Sequence, residues 1–109
     1  MSIVSDEQTS TDLDVEQLRR DIDWVLAVRL SVPDRAQVTP RAMRLLADLK
    51  ALGEQLDGRQ RLENRALLME ANSLARSGPI HMSDAEFAWH TQASARVARA
   101  LAHISGVLP

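Results

Sequence analysis

Cysteine is absent from this 109-residue chain, which excludes disulfide staples, thiolate nucleophiles and Cys-ligated zinc or iron–sulfur centres within it. Tyrosine is absent as well. Trp24, Phe87 and Trp89 are the only aromatic residues, a thin inventory for stacking on bases or sugars. Four glycines, each near an expected helix end or in a packed stripe, leave no material for a phosphate-cradling loop or a nucleophile elbow. No apolar run approaches the roughly 20 residues that a bilayer crossing needs. Residues 1–14 are acidic and polar, without the basic region and apolar stretch of a secretory signal, so a cytoplasmic location is expected.

What is present is the composition of a globular protein: 45% hydrophobic and 26% charged residues, enough for one core and too few residues for two. The net charge of −2 offers no overall attraction for nucleic acid. It is unevenly placed, however, with eight acids against three arginines in residues 1–34 and seven acids against ten basic residues in the remainder. The first helix is therefore expected to be held electrostatically against the rest. Lys50 is the sole lysine beside twelve arginines, which reads as a GC-rich, actinobacterial coding bias.

Residues 1–10 hold few apolar groups and are expected to form a disordered acidic tail, followed by a single helical domain over residues 11–109. With Thr11 as cap, a first helix is predicted from Asp12 to Leu30, where Val15, Leu18, Ile22, Val25 and Leu26 share one face and Pro33 ends the segment. Thr39 as cap, Pro40 at the first helical position and a Val38–Met43 staple predict a second helix to Leu56, closed by a left-handed Gly58. The third, Gln60 to Arg76, has apolar residues on two sides: Leu62, Ala66 and Met69 against Leu67, Leu68, Ala71, Leu74 and Ala75. That pattern predicts a central helix, stopped by Gly78-Pro79. Ser83 and Glu86 form a capping box for the fourth, with Met82 stapling Phe87; Phe87, His90, Ala93, Ser94, Val97, Ala98, Leu101 and Ile104 share its face up to Gly106. The expected fold is all-α, an antiparallel four-helix bundle of up-down-up-down topology.

Chemistry-bearing patterns are sparse. Glu86 and His90 lie four apart, a spacing that could orient an imidazole or offer two metal ligands, but Glu86 is accounted for by the capping box and His90 reads as a core histidine. No metal or cofactor is expected. Glu63 and Glu70 read as a solvated face, as do Arg59, Arg61, Arg65, Arg76, Arg96 and Arg99, among which Glu63, Glu70, Asp84 and Glu86 are interleaved. Surplus apolar residues are more informative. Leu13, Trp24 and Val28 make a second stripe on the first helix, and Trp89 sits at the edge of the fourth, so these four are the candidate interface for a protein partner or a homodimer. An alternative site for an anionic metabolite would gather Arg19, Arg29 and Arg65 in an inter-helix pocket.

Two resemblances bear on function. The run from Leu18 to Asp23 (Leu-Arg-Arg-Asp-Ile-Asp) resembles the opening of the helical chorismate mutases, and the Arg59–Arg65 stretch is faintly similar to their second helix. That resemblance implies a small all-α enzyme in which arginines, Arg19 here, grip a dicarboxylate. From Leu45 onward the chain is similar to a small actinobacterial family of helical proteins labelled natural product biosynthesis proteins, through Ala66–Arg76, then Gly78-Pro79, and the Ala- and Arg-rich run Ala95–His103. This second resemblance implies a genomic setting and no catalytic residues. The leading expectation is a non-enzymatic accessory or regulatory protein acting by protein contact, in natural product biosynthesis. A chorismate-mutase-like enzyme or anion binder is the alternative, and a DNA-associated regulator comes third.

Overall fold

The computed structural model describes residues 13–77 and 81–109, so the acidic tail, the Thr11 cap and the Gly78-Pro79 stop lie outside the described residues. The described residues are all-helical, with no strand: α1 (Val15–Leu26), α2 (Arg35–Gln55), α3 (Gly58–Glu63), α4 (Arg65–Arg76) and α5 (Asp84–Ser105). Four helices were expected and five are found, because the third is broken. Asn64 adopts φ −120°, ψ 33°, outside the helical range; its side-chain amide donates to the Gln60 carbonyl at 2.9 Å, an acceptor it shares with the Asn64 backbone N–H at 3.0 Å. Gln60 in turn donates to the Ile104 carbonyl at 3.1 Å, anchoring the short α3 to the end of α5.

Three other boundaries differ from the expectation. Asp14 caps α1, its carboxylate accepting from the Gln17 N–H at 3.1 Å, and the helix stops at Leu26, not Leu30, with Ala27 already extended. Helix α2 starts at Arg35 rather than Pro40 and runs through the proline. Tertiary contacts at the start of α2 oppose that cost: Arg35 bonds Asp84 at 2.8 Å and the Met82 carbonyl, lies over the Phe87 ring, and Val38 and Ala42 are buried against Phe87. Met43 is correspondingly exposed, so the Val38–Met43 staple does not form, whereas Met82 does pack on the Phe87 cluster. Asp57 does not close α2. It opens α3 through a capping box with Gln60, and Gly58 is an ordinary helical residue.

Helices α2 and α5 make the most extensive interface, and α1 and α4 each pack against both. The core follows from that arrangement: Leu18, Ile22 and Val25 of α1, Leu45, Leu49, Leu52 and Leu56 at the α2 end, Ala71 of α4, and Ala95, Val97, Ala98, Leu101 and Ala102 of α5. Alanines at positions 95, 98 and 102 are fully buried and small enough for a neighbouring helix to approach closely. Helix α4 is not central. Ala71 is its sole buried residue, while Leu62 of α3 and Met69 of α4 face solvent. The double-sided pattern belongs to α5, whose Thr91, Ala95 and Ala102 are buried in addition to the expected stripe.

Gly106 ends α5 at φ 82°, the one left-handed residue among the described positions. A Cβ there would meet no atom within 4 Å, so Gly106→Ala carries backbone strain alone. The expected cost is about 1 kcal/mol in denaturant unfolding, with an unchanged m-value.

Candidate functional site

The early end of α1 sets the most distinctive surface. Beyond Leu26 the apolar residues recur at every second position, Val28, Leu30 and Val32, and no longer at helical spacing. Freed from the helix, they face out: Val28 is 98% exposed, Leu30 106% and Val32 51%, and Trp89 of α5, at 67%, stands across from them. Together with Pro33 and Ala88 they line an open concavity of about 540 Å³. Of the four expected interface residues, then, Val28 and Trp89 meet here. Leu13 and Trp24 are instead partly buried against the core, and the guanidiniums of Arg29 and Arg41 lie over the Trp24 ring at 4.0 and 3.9 Å from its centroid. Leu30 and Val32 were not among the expected residues, although their two-residue alternation was the signal that could have found them.

The alternative arginine set does not share a cavity. Arg19 pairs with Glu16 at 3.9 Å and lines a cleft of about 370 Å³ with Arg99 and His103, Arg29 borders the concavity beside Trp89, and Arg65 is exposed on α4 and lines neither. Glu63 pairs with Arg59 at 3.1 Å across one turn of α3, and Glu70 lies on the other side of the Asn64 break. Among the described residues no three His, Asp or Glu side chains converge as a metal set.

A polar cluster that the sequence did not announce joins α1 to α2. Asp21 is 1% exposed, and Arg44 grips both its oxygens at 2.8 Å while Gln17 donates to Oδ1 at 3.0 Å. These bonds raise the Arg44 pKa above its usual range. Next to them, burial, reinforced by the negative charge of Asp21, pushes the Asp48 carboxyl up to about 6, against the opposing pull of Arg44. Among the described residues, this is the ion pair that joins the first helix to the rest of the chain.

At the other end of α2 a smaller cavity of about 190 Å³ lies between α2, α5 and the end of α4, lined chiefly by Ala42, Met43, Leu46, Phe87 and His90. His90 is 6% exposed and its Nε2 has no hydrogen-bond partner among the described residues. Glu86, four residues before it, is turned to the helix start, where its carboxylate accepts from the Ser83 N–H at 2.8 Å; those Ser83 bonds hold its pKa below the usual carboxylate range.

No helix among the described residues is long and apolar enough to cross a membrane. No protein-family model, curated protein or solved structure matches the chain.

Proposed function

We propose that the protein is a non-enzymatic accessory or regulatory protein that acts by binding another protein, or a second copy of itself, through the face bearing Val28, Leu30, Val32 and Trp89. Scattered exposed apolar side chains are ordinary; four large ones gathered around a single concavity are what carries the reading. Tryptophan contributes more contact area and binding energy than most residues at interfaces, so Trp89 is the anchor of the site. Under the resemblance of Ala66–Arg76 and Ala95–His103 to natural product biosynthesis proteins, the partner belongs to such a pathway. The scaffold is read as an antiparallel four-helix bundle of α1, α2, α4 and α5, a topology supported by short connections and by the way α1 and α4 both flank the α2–α5 pair.

A photo-crosslinking residue placed at position 89 or 30 in the native host tests this. A discrete crosslinked species from both positions, absent when the probe replaces the exposed Arg59 and lost when Leu30→Asp is combined with position 89, is the expected result. No crosslink from either position, together with a monomeric mass at every concentration in light scattering, overturns the reading. Trp89→Asp should weaken the association at least about 30-fold, roughly 2 kcal/mol, with little change in thermal stability because the side chain is exposed.

A further inference from the structure

The cavity beside His90 lies away from the Val28–Trp89 face and has a chemistry of its own. Its body is apolar, made by Ala42, Met43, Leu46 and Phe87, and its polar lining consists of Arg35, Thr39, Ser77 and His90, with no acidic residue among them. The two hydroxyls are already engaged, Thr39 donating to the Arg35 carbonyl at 2.7 Å and Ser77 to the Ser73 carbonyl at 2.9 Å. Arg35 uses Nε on Asp84 and one terminal nitrogen on the Met82 carbonyl, leaving its Nη1 uncommitted in these bonds. His90 lines this mostly apolar space, and its Nε2 is buried without a hydrogen-bond partner among the described residues. Buried polar atoms in native proteins are nearly always satisfied, and an apolar cavity provides too few partners to hold a water well.

We infer that this cavity is a binding site for a small monocarboxylic acid whose apolar body is about the size of one ring. At about 190 Å³ it exceeds the roughly 150 Å³ that accommodates a benzene molecule, leaving space for one short polar substituent. A carboxylate satisfies His90 Nε2 as an acceptor of its N–H, and the Nη1 that Arg35 leaves uncommitted offers a second, charged donor. An amine would meet the Arg35 guanidinium and no acid in the lining. A bare ring would leave Nε2 unpaired, and a neutral hydroxyl would forgo the charge-assisted bond to Arg35 that makes the site selective.

Benzoate is the probe, titrated into the full chain and followed through the imidazole resonances of His90 and His103 by NMR, with toluene and benzyl alcohol as neutral counterparts. The expected outcome is saturable movement of the His90 signals with benzoate and at least about tenfold weaker binding of either neutral ring. Movement at His103 alone would mean that benzoate binds at the Arg19–Arg99 cleft and would overturn the assignment. So would equal affinity for the neutral rings, or no response at His90. His90→Leu should abolish benzoate binding. Met43→Trp, a change at an exposed residue of the lining that spares the core, should weaken it at least about tenfold by crowding the cavity, and unchanged affinity in a folded Met43→Trp variant also overturns the site.

Discussion

Arg44→Met should unfold at a temperature on the order of 15 °C lower than the parent, a loss of about 3 kcal/mol near neutral pH. Asp21 is buried, and Arg44 meets both of its oxygens. Methionine preserves most of the stem that covers apolar surface and deletes the guanidinium, so the measurement isolates the charge. The Asp21 carboxylate would then retain only Gln17 as a donor, with Asp48 nearby adding repulsion. Replacing both partners, Asp21→Leu with Arg44→Met, should recover stability to within about 1 kcal/mol of the parent, since neither buried charge nor orphaned partner remains. A single-variant loss under about 1 kcal/mol would mean that the pair does not hold α1 to α2.

The second large effect has the opposite sign. Asp48→Asn should stabilise the protein at pH 7.5 by about 1–2 kcal/mol and leave stability near pH 4 unchanged. The wild-type carboxyl has a folded pKa of about 6 against an ordinary value of 3.8. Its folded form therefore binds a proton more tightly than the unfolded chain. Stability from this group falls as pH rises between these two values, and the full penalty persists above the upper one. A shift of that size converts nominally to about 3 kcal/mol, which is reduced here because the side chain is partly hydrated. Chemical denaturation across pH 4 to 8 checks it. A wild-type profile that climbs over that range through no other carboxylate, or an Asn variant with an unaltered profile, would contradict the assignment.

A physical logic for such a strained pair of acids on adjacent helices is orientation. An ion pair that is costly to mispair discriminates between registers of α1 on α2 more sharply than a leucine stripe, which tolerates sliding by a turn. The same packing leaves Trp24 covered by Arg29 and Arg41, and so removes from the candidate interface a residue that its hydrophobicity had placed there.

The sequence by itself determined the secondary-structure class, the inward face of α1, and the start and stop of α5. Each is a local property: Leu18, Ile22 and Val25 recur at helical spacing, Ser83 and Glu86 satisfy one another's backbone N–H groups, and Gly106 tolerates a left-handed turn that other residues resist. The tertiary structure alone decided where the chain would accept a local penalty for a distant gain. Arg35 reaches Asp84 across 49 positions and, with the buried Val38 and Ala42, carries α2 back through Pro40; Arg44 finds Asp21 across 23; and Gln60 reaches Ile104 across 44, fixing the short helix that precedes the Asn64 break. The cover that Trp24 receives from Arg29 and Arg41 and the solitary nitrogen of His90 are of the same kind. They depend on which surfaces the neighbouring helices cover, and a periodicity along one helix carries no information about the helix that packs against it.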